Sequence, residues 1–148
     1  MSEKARILVI DDDESVRKVL AVALADKGYT VETAEDGKEA IEKSKTNFFN
    51  LALVDIRLPD MEGAKLLTAM KETTPKMVHI ILTGYPSLQN AIEAVNKGAD
   101  GYIVKPVNME NLLTIVEEHL RKQREARKYS EEKVVEYIET RAKELKKS

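Results

Sequence analysis

Short apolar runs alternate with amphipathic stretches from residue 5 to about residue 120. Arg6-Ile-Leu-Val-Ile10, Thr30-Val-Glu-Thr-Ala34, Leu51-Ala-Leu-Val-Asp55, Met77-Val-His-Ile-Ile-Leu82 and Gly101-Tyr-Ile-Val104 have the length and β-branched content of strands. The stretches between them carry apolar residues at helical spacing. Val16, Val19, Leu20, Ala23 and Leu24 mark a first helix over 14–27, and Gly28 supplies its left-handed cap. A second helix near 37–46 carries Ala40 and Ile41, and a third lies near 62–72. Pro86-Ser87 opens a fourth with Leu88, Ala91, Ile92 and Val95, closed by Gly98, and Asn108 caps a fifth.

Five strand-then-helix units in succession predict an α/β fold, a doubly wound five-stranded parallel sheet with helices on both faces. Crossovers between parallel strands are almost always right-handed, so all strand C-termini meet at one edge, where such sheets bind ligands. That edge gathers Asp11-Asp12-Asp13, Asp55, Thr83 and Lys105. Four strand ends thus present carboxylates, a carboxylate, a hydroxyl and an ammonium.

A chain of 148 residues fits one domain, with enough surface to bury a core without staples. Cysteine is absent, which excludes disulfide frameworks, thiol catalysis and zinc–thiolate sites. No signal peptide is evident and no apolar run reaches the roughly 20 residues of a membrane span, so a soluble cytoplasmic protein with no membrane contact is expected. Net charge is −2, unevenly placed: residues 1–120 carry −6 and residues 121–148 carry +4. An acidic body argues against nucleic-acid binding. The basic tail is too polar to build a helix-turn-helix core, so no DNA-binding output domain is expected in this chain.

From Val107 to Ser148 there is neither Gly nor Pro. The fifth helix could run on, or stop near Arg127 and restart at a Ser130 cap. We divide the chain into a domain over 1–122 and a charged helical tail over 123–148. Val135, Ile138, Ala142 and Leu145 follow a 3-4-3 spacing, a short seam for dimerisation or docking; the plainer reading is a solvated helix.

The acidic cluster carries the chemistry. Two unit charges 4 Å apart repel by about 4 kcal/mol at an effective dielectric near 20, so such a cluster must be protonated, paired or metal-bound. All-oxygen ligands favour a hard ion, and Mg²⁺ takes one or two carboxylates together with waters and phosphate oxygens. A remaining carboxylate can then attack phosphorus as a nucleophile.

Asp11-Asp12 after the first strand, Asp55 with Pro59, Thr83-Gly84 and Lys105-Pro106 resemble, in identity, order and spacing, the receiver domain of two-component response regulators. The resemblance covers residues 5–122 and implies the flavodoxin-like strand order 2-1-3-4-5. It implies that Asp55 is the phosphoacceptor, receiving a phosphoryl group from the phosphohistidine of a histidine kinase or histidine phosphotransfer protein. Asp12, Asp55 and the backbone carbonyl of Arg57 would bind Mg²⁺, with Asp11 positioning metal-bound water. Lys105, in a cis peptide with Pro106, and Thr83 would contact the phosphoryl group. Thr83 and Tyr102 would form a coupled switch that remodels the surface of helix four, strand five and helix five. That surface, or the tail, would meet a downstream protein partner or a second copy. The module would catalyse only its own phosphorylation and dephosphorylation. Arg57 and Tyr85, at positions where the family varies, would lie over the phosphate and tune its loss.

Two other functions fit parts of the pattern. Asp11-x-Asp13-x-Ser15 is similar to the nucleophile motif of haloacid dehalogenase-like phosphatases, although that reading leaves Asp55 and Lys105-Pro106 without a role. A degenerate receiver that binds partners without phosphate is the third possibility. Taken singly, Asp13 is best read as a helix cap, Tyr102 as a half-buried strand aromatic, His79 as a rim or core histidine, and His119 as part of the fifth helix's apolar stripe.

Overall fold

The computed structural model describes residues 4–74, 76–84 and 86–147. Ten elements follow in strict alternation: β1 (Arg6–Ile10), α1 (Glu14–Asp26), β2 (Thr30–Ala34), α2 (Gly37–Thr46), β3 (Leu51–Asp55), α3 (Gly63–Thr73), β4 (Val78–Thr83), α4 (Leu88–Asn96), β5 (Gly101–Val104) and α5 (Met109–Lys147). The five strands form one parallel sheet in the order β2-β1-β3-β4-β5.

Two cores lie on opposite faces of the sheet, as helices covering both sides of a parallel sheet require. On one face Ile7, Val9, Leu51, Leu53, Ile80 and Leu82 pack against Leu20 and Leu24 of α1 and Leu112, Val116 and Leu120 of α5. On the other, Leu8, Ile10, Ala52, Val54 and Ile81 pack against Ala40 of α2, Leu66, Leu67 and Met70 of α3, and Ala94 of α4. The central strand β3 is buried at every position, which is why its sequence is an unbroken apolar run up to Asp55.

Helix starts follow the local chemistry. Asp13, Asp36, Ser87 and Asn108 each accept a hydrogen bond from the amide three residues on. Gly28 and Gly98 close α1 and α4 at φ +96° and +105°, a backbone region that side chains disfavour.

Two expected helix faces differ. In α1 only Leu20 and Leu24 are fully buried, and Val19 faces solvent at 58% exposure. In α4 the small Ala94 faces the sheet, while Leu88, Ile92 and Val95 point outward at 79%, 51% and 62% exposure.

Helix α5 does not break near Arg127 or restart at Ser130; it continues from Met109 to Lys147. Among the described residues Leu120 is its last buried apolar residue. Gln123 then ties it to the sheet's N-terminal edge, its Nε2 donating to the carbonyls of Asn50 (2.9 Å) and Lys76 (3.0 Å). Val135, Ile138 and Leu145 of the tail are exposed. Among the described residues no helix is long and apolar enough to cross a membrane.

Candidate functional site

Strand register builds the site. Ile10 stands opposite Val54, so Asp11, one residue beyond β1, comes level with Asp55 at the end of β3. Thr83, the last residue of β4, stands opposite Val104, so Lys105 follows one step beyond. The peptide joining Lys105 to Pro106 is cis. Carboxylate oxygens of Asp11, Asp12 and Asp55 all lie within 4.8 Å of one another.

These groups differ in their surroundings. Asp11 is 1% exposed and accepts a 3.0 Å hydrogen bond from the Asp13 amide, while its own carbonyl accepts from Arg17 at 2.6 Å. Asp55 is 8% exposed and accepts from the Arg57 amide at 3.2 Å. Asp12 is exposed and forms the open side of the cluster. The Lys105 ammonium bridges two carboxylates, 2.8 Å from Asp11 and 3.6 Å from Asp55.

The cluster shifts its own members' ionisation. Burial pushes the Asp55 carboxyl up to about 6, the charges of Asp11 and Asp12 push the same way, and the Arg57 amide and Lys105 oppose them. Burial pulls the Lys105 ammonium down, but its contacts with Asp11 and Asp55 outweigh that and leave it above its ordinary value. One ammonium among three carboxylates leaves a net negative site. An all-oxygen donor set of this size with one open side fits a hard divalent ion.

The remaining predicted residues fall around this centre. Thr83 is fully buried, and its carbonyl accepts from the Lys105 amide at 2.6 Å. The Tyr102 ring packs against the α2–α4 core, its hydroxyl buried with no hydrogen-bond partner among the described residues. Arg57 forms an isolated antiparallel bridge with Glu62 across the β3–α3 loop. Tyr85 lies outside the described residues. Asp13 stays apart from the cluster, its carboxylate capping α1 through the Val16 amide. His79 is fully buried in β4, and His119 is half-buried, its ring 3.5 Å from where a side chain on Gly101 would stand.

Two residues escaped the sequence reading. Asp60 bridges the β3–α3 loop to the start of α2, and Gln123 anchors α5. The one local signal for Asp60 was an acidic residue directly after Pro59.

A doubly wound sheet with three carboxylates and a lysine at its C-terminal edge has the architecture of a receiver domain. Residues 7–117 match the response regulator receiver domain family, and the chain belongs to it. It is 37% identical over 114 residues to the transcriptional regulatory protein ZraR of Escherichia coli, a match covering 77% of this chain and 26% of that protein. It therefore spans about a quarter of the curated relatives it matches. A CheY-like receiver domain protein from Methanospirillum hungatei superposes with a TM-score of 0.82 at 44% identity, covering 84% of this chain and 99% of that one. The beryllofluoride-activated NtrC4 receiver domain dimer superposes with a TM-score of 0.76 at 34% identity, covering 80% and 98%. Receiver domains are signalling modules of two-component systems, and this chain is one.

Proposed function

We propose that this receiver accepts a phosphoryl group on Asp55 from the phosphohistidine of a histidine kinase or a histidine phosphotransfer protein. The observation that carries the reading is the Lys105 ammonium set between Asp11 and Asp55, with Asp12 completing the carboxylate cluster. An Asp55 carboxylate oxygen attacks phosphorus, the P–N bond breaks, and the bond's electrons return to the imidazole, which takes up a proton. Lys105 and the Thr83 hydroxyl meet phosphoryl oxygens as charge redistributes. Asp12, Asp55 and the Arg57 carbonyl would hold Mg²⁺, with Asp11 orienting its water; when bound, the ion screens the cluster's charge and neutralises phosphoryl oxygens.

Phosphorylation then biases a two-state surface through Thr83 and Tyr102. The output face combines α4, β5 and α5, where Leu88, Ile92, Val95 and Val104 lie exposed. A downstream protein or a second copy would cover it, and the tail is the alternative contact. Residues 1–122 form the receiver and 123–148 the tail, and the setting is the cytoplasm. The phosphatase reading loses support because Asp13, the second acid of its motif, caps α1 through the Val16 amide.

The test is incubation with Mg²⁺ and acetyl phosphate, followed by intact mass and peptide mapping, with Asp55→Asn as control. One adduct on Asp55, absent in the variant, is expected. An adduct on Asp11, or none, overturns the assignment.

A further inference from the structure

The loop between β3 and α3 carries the Arg57 carbonyl, and its tip is fastened to a neighbouring helix. Asp60 Oδ1 accepts from the Gly37 amide and Oδ2 from the Lys38 amide, both at 2.9 Å. Asp36 takes the next amide of the same helix, that of Glu39, at 2.8 Å. Three first-turn amides of α2 are therefore satisfied, two of them by a residue that lies 23 and 22 positions away. Met61 completes the contact: a Cβ on Gly37 would stand 2.5–2.7 Å from three atoms of its side chain. A side chain at Gly37 would have to displace Met61 from this contact.

The other end of the loop is equally tight. The Gly63 amide donates to the Ile56 carbonyl at 2.8 Å, and the Leu58 amide to the Met61 carbonyl at 3.3 Å. Residues 56–62 thus form a closed loop pinned at its base beside Asp55 and at its tip on α2. Between those pins lies Arg57, whose amide holds Asp55 and whose carbonyl faces the cation's coordination sphere in the reading above.

We propose that Asp60 is a positioning residue for the metal site. Its carboxylate fixes the loop that aims the Arg57 carbonyl, so that the first turn of α2 and the cation site are energetically coupled. This rests on the Mg²⁺ reading of the Asp11–Asp12–Asp55 cluster. Coupling is reciprocal, so Mg²⁺ at the cluster must also tighten the Gly37 and Lys38 amides against Asp60. A group that orients a ligand without touching the ion changes affinity more than it changes fold.

The experiment is a MgCl₂ titration of the isotope-labelled full chain, followed by NMR at the Arg57 and Ile56 amides. Amide exchange at Gly37 and Lys38 is measured with and without Mg²⁺. Asp60→Ala is expected to weaken Mg²⁺ binding about five-fold or more, and Asp60→Asn, which keeps one acceptor, by less. Asp36→Ala removes a cap of the same helix without touching the loop, and should leave affinity within about two-fold. In the wild type Mg²⁺ should slow exchange at Gly37 and Lys38. Equal affinity in Asp60→Ala and wild type, or an equal loss in Asp36→Ala, overturns the positioning role while leaving the metal site intact. A wild type that does not bind Mg²⁺ overturns the site assignment on which the role depends.

Discussion

Asp100 grips His79 from both sides of its peptide: its amide donates to the His79 carbonyl at 2.7 Å, and its carboxylate accepts from the His79 amide at 2.8 Å. The backbone of β4 is thereby locked while the His79 ring lies fully buried, with neither nitrogen hydrogen-bonded among the described residues. Burial pulls its pKa down to about 4, the Lys71 charge pulls the same way, and Asp100 opposes them. The folded protein therefore resists a proton that the unfolded chain accepts near pH 6.5, and stability is lost as pH falls from about 6.5 to 4. The ring's share is about 3 kcal/mol at the acid end. Urea unfolding of His79→Leu from pH 4 to 7 should show stability gained relative to wild type at the acid end. A constant difference across that range would refute this account.

Asp55 titrates in the same window with the opposite sign. Its carboxyl is raised to about 6, so the folded state holds a proton that the unfolded chain releases near 3.8. Its contribution is present below about pH 4 and lost as pH rises through 6. In metal-free buffer at pH 8, Asp55→Asn is expected to stabilise the fold by about 1–3 kcal/mol, and added Mg²⁺ should erase the advantage by binding the wild type alone. Thermal unfolding with chelator and with Mg²⁺ measures both.

Gly63 opens α3 where a side chain has no room. A Cβ there would stand 2.8 Å from the Asp55 carbonyl oxygen and 2.9 Å from Ile56 Cα, both backbone atoms. Gly63→Ala should destabilise by about 1–3 kcal/mol and displace the Asp55–Arg57 segment. Denaturant unfolding gives the first effect, and a slowed acetyl phosphate reaction the second.

The Tyr102 hydroxyl is buried without a hydrogen-bond partner among the described residues, a burden of about 1–3 kcal/mol. Tyr102→Phe should raise stability by about 1 kcal/mol in the unphosphorylated protein. A loss of stability would show that the hydroxyl is satisfied in solution.

Among the described residues the tail buries no apolar side chain beyond Leu120, while Gln123 bonds to the sheet edge. Removing residues 127–148 should shift the unfolding midpoint by only a few degrees. If the tail seam holds two copies together, light scattering will show a dimer only in the longer chain; if the α4 face does, both lengths will dimerise.

The inner strands β1, β3 and β4 were legible because a parallel sheet covered on both faces writes a buried strand as a near-continuous apolar run. Asp11, Asp12, Asp55, Thr83 and Lys105 were legible because strand ends fix their placement without side-chain detail. The outward turn of Leu88, Ile92 and Val95 was not legible. Helical spacing tells which residues share a face; it does not tell which face a small residue such as Ala94 will draw against the sheet. Asp60 and Gln123 were hidden for another reason: their partners lie 22 to 73 positions away, and a polar residue carries no mark of where it will reach.

Helix α5 passes without a break from the sheet to Lys147. At 1.5 Å per residue, the stretch beyond Leu120 is a rod about 40 Å long. A tilt of about 5° at its seat would carry the far end sideways by about 3.5 Å, roughly the width of an atom. The helix is thus a lever: a small tilt at its seat against β4 and β5 is magnified at its far end.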